Sequence, residues 1–88
     1  MFYNLIINYI NKLTIDDIKK FSITNNIILN DNELNYIYNV IKKDYKLLLS
    51  NNYNIVFNNA KDYIDETKLK KIYNLFIDYR SKYLNYLN

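Results

Sequence analysis

Apolar residues recur along this chain at helical spacing, and no glycine or proline in 88 residues interrupts them. The first run sets Phe2, Leu5, Ile6, Tyr9 and Leu13 on one stripe, widened by Tyr3, Ile7 and Ile10. It predicts a helix over about Phe2 to Lys12 that wants cover round much of its circumference. A second helix is expected after Thr14, with Ile18 and Phe21 facing inward. It should stop near Asn25 and Asn26, because asparagine is the best substitute for glycine in the left-handed conformation that closes helices. The apolar, β-branched link Ile27-Ile28-Leu29 is expected to run extended and buried. Leu34, Ile37, Tyr38, Ile41, Tyr45 and Leu48 form the strongest stripe and predict a third helix from Asp31 to Leu49. Tyr36, Val40 and Leu47 add a thinner second row, which marks a helix central in a bundle or shared with a partner. Ser50-Asn51-Asn52 reads as a break, with Ser50 or Asn52 capping a shorter fourth helix through Val56, Phe57, Ala60 and Ile64. Taken alone, Tyr53 to Phe57 also has the composition of a strand. A fifth helix is expected after Asp65, running to near Leu87 with Leu69, Ile72, Tyr73, Phe76, Tyr83 and Leu87 on its core side.

The same start signal is written three times. Leu13-Thr14-Ile15-Asp16-Asp17-Ile18 offers a capping hydroxyl, an acid three residues later, and an apolar pair flanking the turn, which is a capping box with a hydrophobic staple. Leu29-Asn30-Asp31-Asn32-Glu33-Leu34 repeats it with Asn30 as the cap. Ile64-Asp65-Glu66-Thr67-Lys68-Leu69 keeps the cap Asp65 and the staple but places Lys68 where the acid should stand. The segments between the signals do not match, so they are punctuation and not a repeat architecture. Together these features predict an all-α fold: one helical domain over residues 1–88, a small irregular or orthogonal bundle of about five short helices joined by short loops.

Composition narrows the chemistry. The chain has no cysteine and no histidine, so disulfides, the usual zinc ligands and the commonest catalytic base are all missing. Asn, Ile, Lys and Tyr dominate, while Ala60 and Arg80 are each the sole residue of their kind. These favoured residues share A/T-rich codons, and the bias reads first as the mark of an AT-rich genome. Half of the chain is hydrophobic, which argues against disorder. The opening apolar run is broken by Asn4 and Asn8, too short to span a bilayer, and without a basic start or a small-residue cleavage site. It reads as neither anchor nor signal peptide, and cytoplasmic residence with no membrane partner is the expectation.

Acids gather where helices are expected to start (Asp16, Asp17, Asp31, Glu33, Asp65, Glu66) and bases where the third and fifth should end (Lys42, Lys43, Lys46, Arg80, Lys82), as the helix dipole favours. Asp62, Asp65 and Glu66 stand at i, i+3 and i+4, a spacing able to chelate a cation, but no glycine turn makes a calcium loop of them. Ser22, Ser50 and Ser81 have no histidine to activate them. No catalytic residue, metal, cofactor or small-molecule substrate is therefore expected, and the chain does not read as an enzyme. Two surfaces remain. Eleven tyrosines cannot all be core, and tyrosine suits interfaces because its ring buries area while its hydroxyl stays solvated. Tyr36 and Val40 on the third helix with Leu75, Tyr79 and Tyr86 on the fifth form the candidate interaction face. The net charge of +3 is compatible with nucleic acid without requiring it; Lys19, Lys20, Lys42, Lys43 and Lys46 form the candidate nucleic-acid patch, which Lys68, Lys70, Lys71 and Arg80 could extend.

Leu13-Thr14-x-x-Asp17-Ile18-x-x-Phe21, then Ile27-x-Leu29 and Glu33-Leu34, resembles the helix, extended loop, helix unit of SAP-type and LEM-type domains, and the SAP likeness would imply DNA binding. It covers a quarter of the chain and departs at Asn25-Asn26, where such domains often carry glycine and more basic residues. Over nearly the whole length, the apolar first helix, these same motifs, the basic-ended helix that follows and the closing Ile72-Tyr73-x-Leu75-Phe76 resemble the YqfT-like family of bacilli. That resemblance implies a short cytosolic helical protein from a low-GC bacterium and transfers no functional residue. The expected function is a non-enzymatic protein–protein interaction module, self-associating or bound to another protein, with nucleic-acid binding as the alternative.

Overall fold

Among the described residues five helices follow one another in chain order: α1 Phe2–Lys12, α2 Ile15–Thr24, α3 Asp31–Leu49, α4 Asn54–Ala60 and α5 Glu66–Tyr83. The computed structural model describes residues 2–83, with side chains described over 4–82. The expected contributions of Tyr86 and Leu87, and those of the side chains of Phe2, Tyr3 and Tyr83, lie outside the described residues. The fold is all-α, and α3 is central: α1, α2 and α4 all pack on it, and α4 packs on α5. Its two apolar rows are both used. In the segment Tyr53 to Phe57, whose composition also suits a strand, Tyr53 closes a turn and Asn54 to Phe57 open α4, which ends at Ala60 and not at Ile64; Ile64 lies in the turn before α5.

The first two start signals are complete. Thr14 Oγ1 accepts from the Asp17 N–H at 3.1 Å while the Asp17 carboxylate accepts from the Thr14 N–H at 2.9 Å. Asn30 Oδ1 accepts from the Glu33 N–H at 2.8 Å, and Glu33 Oε1 returns the bond at 3.0 Å. At the other end of α2, Asn26 has φ 62°, the left-handed residue expected there. The Ile27 N–H reaches Ser22 O at 2.8 Å and the Asn26 N–H reaches Ile23 O at 3.0 Å. That bond pair is a Schellman motif, closed by asparagine where no glycine exists.

Several expected placements are corrected. Among the described side chains of α1 the half-buried ones are Ile6, Ile7 and Ile10, joined by Leu13 just after it, while Leu5 and Tyr9, expected inside, are 65% and 68% exposed. Leu5 and Tyr9 border the exposed polar row of Asn4, Asn8, Asn11 and Lys12, and the side of α1 away from that row, with Ile6, Ile7 and Ile10, is the one that turns inward. Phe21 is 46% exposed, its ring 5.7 Å from that of Tyr79. In the link before α3, Ile27 is buried and Leu29 half-buried but Ile28 is 77% exposed, since successive side chains of an extended chain point to opposite sides and only one side of this link meets the bundle. Helix α4 has no side-chain cap. Ser50 instead ends α3, its hydroxyl donating to Leu47 O at 2.6 Å and accepting from the Asn52 N–H at 3.0 Å.

Ala60, Ile64 and Leu69 form the densest part of the core, with Tyr36, Ile37, Phe57 and Ile72 packed against them; Ile18, Ile27, Leu34 and Val56 are also buried. Aromatic rings join α4 to α5: Phe57 meets Tyr73 edge-on at 5.0 Å and Phe76 at 5.2 Å, and Tyr53 meets Phe76 at 5.3 Å. Such pairs add about 0.5–1.5 kcal/mol each beyond the area they bury.

Candidate functional site

Tyr36 and Val40 stand one turn apart on α3, both half-buried. The Tyr36 ring stacks on that of Tyr63 at 4.5 Å and 14°. With Asn39, Asn58 and Asn59 they line a groove of about 500 Å³ between α3 and α4, edged by Lys43, Asp44 and Asp62. Burial, then the neighbouring Tyr63, Asp44 and Asp62, raises the Tyr36 phenol above its ordinary value. The other two described members of the candidate face belong to α5. Leu75 is half-buried on α5, and Tyr79, one turn on, leans toward Phe21 of α2. Tyr36 thus meets Tyr63 and Tyr79 meets Phe21, while Tyr86 lies outside the described residues.

The candidate cationic patch is partly committed inside the fold. Lys42 Nζ donates to Ile10 O at 2.6 Å and Asn11 O at 2.9 Å, and stands 5.5 Å from the centre of the Tyr38 ring. Those carbonyls belong to the last turn of α1, where a cation satisfies orphan acceptors and meets the negative end of the dipole. Arg80 does the same for α3: it donates to Ser50 O at 2.9 Å and lies 4.7 Å over the Tyr53 ring. Lys20 pairs with Asp16 at 3.0 Å on the open surface of α2, a geometry of small energetic weight. Lys19, Lys43 and Lys46 are exposed. Nothing in their spacing along the sequence distinguished them from Lys42, whose partners are 31 and 32 residues away.

Glu33 is the hub that sequence reasoning missed. Its side chain is buried, and it holds two helix starts at once. Oε1 completes the capping box of α3 and receives the Lys68 ammonium at 2.8 Å; Oε2 accepts from the Asp65 N–H at 3.2 Å. Asp65 in turn accepts from the Lys68 N–H at 3.1 Å. The acid absent from the third start signal is therefore supplied from another helix, and Lys68, which occupies its place, returns the charge. Burial by itself would raise the Glu33 carboxyl, but the Lys68 ammonium and the N–H groups of Asn30 and Asp65 outweigh it and hold the pKa below the ordinary glutamate range.

The remaining candidates for chemistry have structural partners or stand apart. The Ser22 hydroxyl donates to Lys19 O at 2.8 Å, Asp65 caps α5, and Asp62 edges the Tyr36 groove. Among the described residues no three acidic, histidine or cysteine side chains gather as a metal site, and no helix is long and apolar enough to cross a membrane. No family model, curated protein or solved structure matches the chain. The likeness to YqfT-like proteins and to SAP-type and LEM-type units rests on the sequence pattern alone.

Proposed function

We propose that this is a non-enzymatic interaction module that self-associates through the uncovered face of α1. The observation behind the reading is that Leu5 and Tyr9 stand one turn apart and about two-thirds exposed, while Ile6, Ile7 and Ile10 pack inward. Large apolar side chains aligned on a helix face outside the bundle suit a second helix laid against them. The titrating groups also favour a binding role. A hydrogen bond with the Thr14 backbone lowers Asp17, the pairing described above lowers Glu33, and the hydrogen bond to Asp16 raises Lys20. Burial raises Tyr36 and Tyr73. Every one of these shifts leads away from neutrality, the opposite of what acid–base catalysis needs. On this reading the protein works in the cytoplasm, where a chain without cysteine loses nothing. Sedimentation equilibrium over a range of concentrations tests it: the parent should gain mass with concentration, and Leu5→Asn with Tyr9→Asn should be monomeric with unchanged helicity. A parent that stays monomeric throughout would sink the proposal.

The second reading is nucleic-acid binding across α2 and α3. The exposure of Lys19, Lys43 and Lys46 on a helix, link, helix unit favours it, whereas the engagement of Lys42 weakens it. Duplex binding at low salt, lost in Lys43→Glu with Lys46→Glu and falling by about 0.9 in log K per log unit of salt for each phosphate contacted, would replace the first reading.

A further inference from the structure

A second groove, of about 540 Å³, is lined by residues of α4, the turn after it and α5, and includes the Phe57–Tyr73 contact in its wall. Two helical stripes build it. On α4 and the turn after it, Asn54, Phe57, Asn58 and Lys61 fall at i, i+3, i+4 and i+7; on α5, Glu66, Leu69, Lys70 and Tyr73 follow the same spacing. Because the turn after Ala60 brings the end of α4 to the start of α5, the stripes run in opposite directions. One end is shut by the Tyr73 hydroxyl donating to Asn54 Oδ1 at 3.3 Å. Its apolar lining is Phe57 and the buried Leu69, with the Tyr73 ring edge-on to Phe57. The other end is a mouth carrying Lys61, Lys70 and Glu66, about 10 Å away by helical rise.

Charge and shape together specify an occupant. Lys61 and Lys70 are exposed and make no ion pair among the described residues, and Glu66, one turn before Lys70, does not close on it. Two cations and one anion leave a single positive charge at the open end of an apolar trough. We infer that the α4–α5 groove binds a small arylalkyl carboxylate, its ring on Phe57 and Leu69 and its head between Lys61 and Lys70. A monoanion matches the mouth, a dianion would meet Glu66 uncompensated, and a cation would be repelled by both lysines. The ring contributes burial against Phe57 and Leu69, and the head contributes direction and selectivity. The groove shares only Asn58 with the one beside Tyr36 and none of the α1 face, so this inference stands apart from self-association.

Titration of the full chain with phenylbutyrate, phenylbutanol and phenylbutylamine, followed by amide NMR shifts, tests it. Phenylbutyrate should move the Phe57, Leu69 and Tyr73 amides saturably and bind about threefold to tenfold more tightly than the alcohol. The amine should not saturate. Lys61→Gln with Lys70→Gln, two exposed positions, should keep the helicity of the parent and erase the advantage of the acid over the alcohol. Equal affinity for all three probes, shifts mapping to another surface, or no saturable shift with any of them would each overturn the inference.

Discussion

Glu33 and Lys42 both stand on α3 and both tie a distant helix end to it by charge-assisted hydrogen bonds, yet their settings are opposite. Glu33 is 4% exposed, with Leu34 beside it and Ile64 and Leu69 flanking the α5 start it holds. Lys42 is half-buried, and the helix whose carbonyls it holds leaves Leu5 and Tyr9 in water. At Glu33 polar bonds and apolar burial secure the same junction, so breaking one strands the other. At Lys42 the clasp stands beside incomplete burial and does more of the positioning of α1. A charged clamp therefore matters to the whole fold where the apolar surface around it is closed, and only locally where that surface is open.

The largest effect should come from Glu33→Ala, which leaves the Asn30 and Asp65 N–H groups and the Lys68 ammonium without their acceptor. A loss of ~2–3 kcal/mol is expected in urea denaturation. Its acid dependence has a definite sign. Because the folded pKa of Glu33 is depressed, its contribution is complete above the ordinary value of 4.5 and disappears as pH falls through the lower folded value. Glu33→Gln should accordingly destabilise the protein at neutral pH and converge on the parent in acid. Parallel stability curves across that range would show that the Lys68 pair does not set the acid limb.

Lys42→Met should be milder, ~1 kcal/mol, and confined. Hydrogen exchange should speed up in α1 while the amides near Ala60, Ile64 and Leu69 keep their protection. Uniform loss of protection would mean that α1 and the core open together, and the contrast drawn between the two clamps would fail. The capping boxes offer the finest comparison. Thr14→Ala and Asn30→Ala each remove a cap worth ~0.5–2 kcal/mol, but Asn30 also orients the Glu33 backbone at the shared junction, whereas the Thr14 box is exposed. Asn30→Ala should be the more damaging of the two in a thermal melt, and equal costs would show that the shared junction does not depend on its cap.

Local features were legible because their partners lie within five residues. The start signals at Thr14, Asn30 and Asp65, the left-handed Asn26 and the two ends of α3 each follow from short-range hydrogen bonding or from periodicity that a linear reading contains, whereas the kink inside α3 at Asp44, with φ −110° and ψ 21°, does not. The candidate sites were less so. Lys42 and Lys43 are adjacent and chemically identical, yet one caps α1 and the other stays in water, because the two side chains leave the helix about 100° apart and only one direction points to α1.

The helical class and most helix boundaries were thus determined by the sequence itself, through capping, the absence of breakers and the spacing of apolar residues. The tertiary structure decided which stripe of α1 turned inward, which side of the Ile27–Leu29 link was buried, and which charges became clamps. Those choices depend on carbonyls and apolar surface brought from some thirty residues away. Helical periodicity ranks positions around one helix; it carries no information about where the next helix lies. The absence of an acid at Lys68 shows both sides of this division: the gap is visible in the third start signal, but that Glu33 fills it follows only once α3 and α5 have met.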